Sequence, residues 1–495
     1  MTEKAFKKRR LIVVSNRLPY YQTNTENGKP SWKQATGGLV TALDPVLRKT
    51  HGVWIGWQGA PQDDFHKEDF ELIDIRSLGI SGEISGETGG YYYIANVPLT
   101  TKEVYEYYNR FSNGTLWSLF HYFFEKTLIE PSSWESYFTV NNRFANYIHK
   151  IIKPSDIIWI QDFHLFLVPY FLRKMRPKQD IHFFLHIPFP HLDIFSILPW
   201  KDQIIESLLC CNTVGVHHRQ YRRNIIEAVN FYRSQVKGIG EGLDKSNIET
   251  KFYVNPISID FEKFDKTSRK TEVIARKKEI KSQSGCPKLI LGVDRLDYSK
   301  GIKERLLGIE HLLERHPELK ERFSYYQLAV PSRESVEAYQ ILKKEIDEII
   351  GRINGRFSTG TWSPIHYIYS SVPFNELVAF YAAADIALIT PLRDGMNLVC
   401  KEYIASHSDG EGVLILSKFA GAISEIKNCL SVNPYGVDDI VNTLYYALHM
   451  DGAERRMKML RMRKNIRSNS INSWLSKCFQ MFNQKKEGLY DTESR

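Results

Sequence analysis

Residues 289–301 read LILGVDRLDYSKG: five residues of strand-like apolar character, then an abrupt run of charge and polarity closed by glycine. The apolar run has the length of a strand buried on both faces, and the residues after it are where such a strand ends. The same figure recurs along the chain, at 11–14, 157–160, 181–185 and 213–216 before it and at 327–330, 386–390 and 413–416 after it. Helical stretches lie between these runs, so the rhythm is βαβ and the class is α/β, with parallel sheets covered by helices. Ligands in such sheets sit beyond the carboxyl ends of the strands, which directs attention to the first polar residues after each run.

At 495 residues the chain exceeds one ordinary core, and two large domains fit it best. A hydrophobic share of 43% and an aromatic share of 13% supply substantial cores and exclude a disordered or fibrous chain. The polar segment 236–251 followed by Asn255-Pro256 marks a boundary. It predicts a first domain over 1–256 and a second over 257–465, with a helix over 466–488 packing back on the first and a frayed tail, 489–495. Within that last stretch Trp474, Leu475, Cys478 and Phe482 stand at helical spacing.

Lys and Arg number 66 against 57 Asp and Glu, a net charge of +9, which suits an anionic small substrate as well as it suits a nucleic acid. No recognition motif for nucleic acid accompanies it. No apolar run approaches the roughly 18 residues of a membrane span, and the opening MTEKAFKKRRLIVVSNR lacks a signal core, so a soluble cytoplasmic protein with no membrane partner is expected. Six cysteines without CxxC spacing argue against disulfide staples and structural zinc.

Candidate chemistry stands at the strand ends. Arg17, after the opening strand, has the shape for bidentate phosphate contact, and Gly37-Gly38 opens a helix where backbone N–H groups can approach a phosphate. Asp162 and His164 follow one strand and His186 the next, placed to hydrogen-bond hydroxyls. The aromatic group Trp54, Trp57, Tyr107, Tyr108 and Trp117 is read first as core, with a sugar platform as the alternative. His182, His186 and His191 lack a metal-binding pattern such as HExxH. Arg295 and Lys300 put two cations five residues apart where charge on a diphosphate leaving group would develop, although a surface salt bridge with Asp294 and Asp297 is the commoner use of such residues. Arg333 follows the next strand. The stretch 390–402, TPLRDGMNLVCKE, is a glycine turn entering a helix, with Glu402 placed to take ribose hydroxyls. The absence of G-x-G-x-x-G argues against an NAD enzyme.

Taken in order, VVSNRLP, TGGLVTAL, WIGWQG, YYNRFSNGTLW, IWIQDFHL, FFLHIPFP, RLDYSKGI, GRINGRF and TPLRDGMNLVCKEY resemble the trehalose-6-phosphate synthase family from about residue 11 to about 482. The resemblance implies a retaining glycosyltransferase of two facing Rossmann-like domains, the GT-B architecture, with the active site in the inter-domain cleft. It implies transfer of glucose from a nucleotide sugar, usually UDP-glucose, to glucose 6-phosphate, with no metal or other cofactor. By position it assigns Arg17, Trp54, Tyr108, Asp162 and Arg333 to the acceptor, and Trp117 and Ile187 to anomer and acceptor selectivity. To the donor it assigns Gly37, Gly38, His186, Arg295, Lys300 and Val372, then Asp394, Gly395, Met396, Asn397, Leu398, Val399, Cys400, Lys401 and Glu402. Asp162, His186, Arg295, Lys300 and Asp394 form its catalytic group.

The chain departs from the family pattern at Gln161, where His is frequent, Ser118 for Pro, Ser258 for Gly and Cys400 for Ala; 215–223, GVHHRQYRR, is also unusual. None of these removes a charged or phosphate-binding residue. The resemblance implies that a separate phosphatase removes the product's phosphate, and it leaves homo-oligomer formation open. Two alternatives remain open at this level: a synthase with another acceptor or donor, such as glycerol 3-phosphate in a glucosylglycerol-phosphate synthase, and a non-catalytic subunit that senses sugar phosphate.

Overall fold

Both large sheets of the protein turn back on themselves beside their first strand, and that reversal places the chemistry. The structure is a computed structural model that describes residues 9–24, 30–35, 38–65, 71–78, 90–236, 249–333 and 336–483. It falls into two compact units, one running to Asn255 and taking up the chain again from Asn472, the other spanning Pro256–Ile471.

The first unit holds an eight-stranded sheet built from β1 (Leu11–Arg17), β4 (Val53–Trp57), β5 (Leu72–Asp74), β6 (Tyr93–Asn96), β7 (Ile157–Gln161), β8 (Asp180–Phe184), β9 (Thr213–Val216) and β10 (Lys251–Val254). β2 (Tyr20–Asn24) and β3 (Pro30–Gln34) pair antiparallel as a separate ribbon. The sheet order is β10-β9-β8-β7-β1-β4-β6-β5, and β5 alone among its strands runs antiparallel to its neighbour. From β1 the chain builds outward through β4 and β6, then returns to lay β7 on the other side of β1. The switch point is therefore between β1 and β7.

The second unit holds β11 (Lys288–Arg295), β12 (Phe323–Val330), β13 (Ile365–Ile368), β14 (Ile386–Ile389), β15 (Val413–Ser417) and β16 (Leu430–Val432), all parallel, in the order β13-β12-β11-β14-β15-β16. Counted from its own first strand this is 3-2-1-4-5-6, the dinucleotide-fold order, with its switch point between β11 and β14. β7, β14 and β15 are buried along their whole length, as strands covered by helices on both faces must be, which is why their sequences are apolar up to the final Gln161 of β7 and Ser417 of β15.

Two helical features bear on the site. A π-helix spans Val104–Leu116, entered through a capping box in which Thr100 and Glu103 satisfy each other's backbone N–H. Residues 111–116 of this π-helix are all buried, as are the four residues of the short α-helix Trp117–Phe120 that follows it, and π segments concentrate at functional sites. The C-terminal helix Ile471–Asn483 belongs to the first unit from Asn472 on and buries Trp474, Leu475, Cys478 and Phe482, with Trp474 and Phe482 both against Trp159 of β7. No described helix is long and apolar enough to cross a membrane. The stretch from 484 on, with its expected frayed tail, and Gly37 lie outside the described residues.

Candidate active site

At the β1/β7 switch point, β1 ends in Ser15, Asn16 and Arg17, of which the first two are buried and Arg17 is exposed. Each buried side chain is committed: Tyr107 Oη donates to Asn16 Oδ1 (2.8 Å) and Trp54 Nε1 donates to Ser15 Oγ (2.7 Å). The Arg17 guanidinium lies 3.9 Å from the centroid of the Trp57 ring and 5.4 Å from that of Tyr108. Stacking holds the cation's flat face and leaves its N–H edge for an anion. Gly59 is required here, because its φ of +109° disfavours a side chain and a Cβ would stand 2.2 Å from Arg17 Nη1.

The indole beside Arg17 and Tyr108 thus belongs to Trp57. Trp54, expected at the acceptor, faces the other way because residues three apart on a strand point to opposite sides of the sheet. Tyr108 is also stacked on His164, with centroids 5.8 Å apart. Trp117 and Ile187 are buried, the former 4.0 Å from the His121 ring centroid.

Asp162, directly after β7, has a φ of +72°, unusual for a residue with a side chain. Its Oδ1 accepts from the backbone N–H of His186 (3.0 Å), tying the ends of β7 and β8 together. His186 Nε2 meets Gln161 Oε1 at 3.0 Å, so with the amide assigned this way Nε2 carries the proton and Nδ1 is left as acceptor. Phe184, His217 and Trp474 surround the ring, and burial pushes its pKa down to about 3. His186 is therefore expected to remain neutral between about pH 5 and 8. Below about pH 6.5 the unfolded chain binds a proton that the folded site refuses, so this residue contributes to loss of stability from there down to about pH 3 and to none above pH 6.5. Ring-nitrogen shifts through a pH titration check this, and protonation of His186 near pH 6.5 would contradict it.

At the β11/β14 switch point, β11 ends in exposed Arg295, and the turn after it carries Asp297 and Lys300. Lys300 Nζ lies 2.7 Å from Asp394 Oδ2, with both side chains nearly buried. Asp394 also takes a long contact from the Met396 N–H (3.4 Å) and one from Asn397 Nδ2 (3.3 Å). Asn397, at φ +81°, turns the chain into helix Val399–Ser406 and accepts from the Cys400 N–H (3.0 Å). The backbone of 394–400 thereby forms a tight polar cradle at a helix start.

Asp297 is wholly buried. Burial alone would raise its pKa, but Arg333, Arg295 and Lys300 outweigh burial and bring it down to about 2. Arg333, at φ +50°, donates from Nη1 to Asp297 Oδ2 (3.2 Å) and also to the Tyr339 hydroxyl. Tyr339 itself donates to Asp297 (3.0 Å). Three cations thus face two carboxylates, Asp297 and Asp394, at this strand end, leaving positive charge for an anionic ligand.

Other assigned residues are turned inward. Lys401 Nζ is fully buried between the Ile257 carbonyl (2.7 Å) and Glu425 Oε2 (2.6 Å). Cys400 Sγ faces the Asn397 carbonyl (3.1 Å). Glu402 accepts from the Tyr381 hydroxyl (2.7 Å), and burial raises its pKa. Val372 lies half-buried in the loop after β13, and Gly38 begins helix Gly38–Thr50. Among the described residues no group of three or more His, Cys, Asp or Glu is placed to hold a metal.

Sequence reasoning left Tyr339 and Arg305 unremarked and treated Asp297 only as a member of a surface salt bridge. The signal for Arg305 was present, since it sits on the apolar face of helix Ile302–Arg315.

Residues 9–484 match the model of glycosyltransferase family 20. The chain is 38% identical over 469 residues to an α,α-trehalose-phosphate synthase (UDP-forming) of Dictyostelium discoideum, covering 94% of this chain but only 61% of that protein. It is 38% identical over 475 residues to a trehalose-6-phosphate synthase of Mycobacterium avium, covering 94% and 93%. A crystal structure of the UDP-forming synthase of Burkholderia xenovorans in complex with glucose 6-phosphate superposes with a TM-score of 0.82 at 30% identity, covering 96% of this chain and all of that one.

Proposed function

The chain belongs to glycosyltransferase family 20, and on that premise we propose that it is a UDP-forming α,α-trehalose-phosphate synthase. It transfers glucose from UDP-glucose to the anomeric hydroxyl of glucose 6-phosphate with retention, giving α,α-trehalose 6-phosphate and UDP. The observation that carries this reading is the pairing of Lys300 with Asp394 beside exposed Arg295, at the switch point of a 3-2-1-4-5-6 sheet.

In the reaction the C1–O bond to the diphosphate breaks and the acceptor hydroxyl forms the new bond on the same face. Its proton passes to a diphosphate oxygen. Arg295 and Lys300 neutralise the charge that grows on UDP as that bond lengthens. Asp394, held by Lys300 and by Asn397, accepts from donor hydroxyls, while the N–H groups of 395–397 donate to the hydroxyl oxygens. Neutral His186 offers Nδ1 to the donor sugar, and Glu402 takes ribose hydroxyls. Arg17, backed by Trp57 and Tyr108, receives the acceptor phosphate, with Arg333 as a second cation once it leaves Asp297.

Two fixed cations in these places do what a divalent metal does in other glycosyltransferases. UDP release from UDP-glucose is therefore expected to require glucose 6-phosphate and to be unchanged by excess EDTA. Release abolished by chelation and restored by Mg2+ would contradict the roles given to Arg295 and Lys300. The setting we propose is cytoplasmic, and the product, still phosphorylated, calls for a separate phosphomonoesterase downstream. Self-association is open to a sedimentation measurement.

A further inference from the structure

Arg305 follows the Lys300 turn on helix Ile302–Arg315, whose buried side includes Ile302, Leu306, Ile309, Leu312 and Leu313, and it is fully buried. Its guanidinium reaches three strand regions. Nε donates to Thr390 Oγ1 (3.0 Å), directly after β14. Nη1 donates to Asp294 Oδ2 on β11 (2.8 Å), and to Gln327 Oε1 (3.0 Å) and Tyr325 Oη (3.2 Å) on β12. Nη2 donates to the carbonyl of Lys300 itself (3.2 Å).

The two loops that Arg305 touches are the ones that carry Lys300 and Asp394. They are also stitched directly: the Leu392 N–H donates to the Ser299 carbonyl (2.8 Å), and Gly301, at φ +64°, lies so close to the Thr390 carbonyl that a Cβ would stand 2.1 Å from it. The neighbouring strand makes room for the guanidinium, since a Cβ at Gly292 would lie 2.3 Å from Arg305 Nη1. A buried ion pair is costly, and apolar residues of similar volume in place of both Arg305 and Asp294 would pack this helix on the sheet at least as well. What an apolar residue cannot do is hold the Lys300 carbonyl and the Thr390 hydroxyl at a fixed separation.

We propose that Arg305 is a positioning residue whose rigid fork sets the Lys300 turn against the Thr390–Asp394 loop, so that the Lys300 ammonium meets Asp394 and the leaving diphosphate in register. This rests on the synthase reading. Arg305→Lys keeps a cation beside Asp294 but loses the fork. Its turnover is expected to fall about 10- to 100-fold, the scale of a misplacement near 1 Å, with the KM for glucose 6-phosphate unchanged.

The test is a double-mutant cycle with Lys300→Ala, read as turnover. If Arg305 acts through Lys300, Arg305→Lys costs nothing further in the Lys300→Ala background. Thr390→Val removes one acceptor of the fork, nearly preserves the shape, and is expected to give the same pattern at smaller size; it carries the cycle should Arg305→Lys fail to fold. Losses that multiply in full in both backgrounds, or wild-type turnover in both variants, would overturn the proposal. The product of the wild-type protein reports on the synthase reading separately, and the cycle is read with whichever acceptor the wild type uses.

Discussion

Arg295→Ala is expected to lower turnover by about 100- to 1000-fold, the loss typical of removing one group that meets developing charge. The size follows from the lack of a substitute. Lys300 is already held 2.7 Å from Asp394, and Arg333 is folded onto buried Asp297 and the Tyr339 hydroxyl. Arg295 is the one residue of β11 that stands exposed, at its carboxyl end and beside the switch point. Because the charge it meets appears as the bond breaks, the KM for glucose 6-phosphate should change little while kcat falls. Steady-state kinetics with both substrates varied would check this, and wild-type kcat in the variant would remove Arg295 from the mechanism.

Arg17→Ala acts on the other substrate. Hydrogen bonds to a charged group contribute about 1.5–3 kcal/mol, so the KM for glucose 6-phosphate should rise about 10- to 150-fold with kcat at saturation largely kept. Arg17→Lys should recover little of this. An ammonium cannot make the bidentate contact, and it loses the stacking on Trp57 that holds the guanidinium 3.9 Å from the ring centroid. The ratio of kcat/KM for glucose 6-phosphate to that for glucose is the sharpest readout. A ratio equal to that of the wild type would show that the phosphate is bound elsewhere.

The strand ends were readable in the chain because parallel strands are buried on both faces. Runs such as 157–160 and 386–389 admit no polar residue, and the polar residues that follow are Gln161 and Asp162 in one case and Thr390, Arg393 and Asp394 in the other. The aromatic run Val53–Trp57 was harder, since its residues serve equally as core and as platform. Which indole meets Arg17 depends on the pleat and on the register of β4 beside β1, neither of which shows in composition. Lys251–Val254 and Leu72–Asp74 are short strands at the sheet edges, where pairing with a neighbour decides the conformation more than the residues do.

The arrangement around Asp297 was hidden for a related reason. Arg333 comes from the loop after β12 and Tyr339 from helix Glu337–Phe357, and only the fold brings them to a carboxylate some forty positions earlier in the chain. The π-helix over Val104–Leu116 was unreadable because its buried run follows no 3.6-residue stripe. Lys401 shows the converse limit. Motif position suggests a donor contact, whereas packing commits its ammonium to Glu425 and to the backbone of Ile257.

The central claim is the reaction itself, and product identity tests it most directly. Purified protein given UDP-glucose and glucose 6-phosphate in the presence of EDTA should release UDP in step with a non-reducing disaccharide phosphate whose two anomeric centres are both α by NMR. A reducing or β-linked product, or glucose delivered only to a different acceptor, would contradict it.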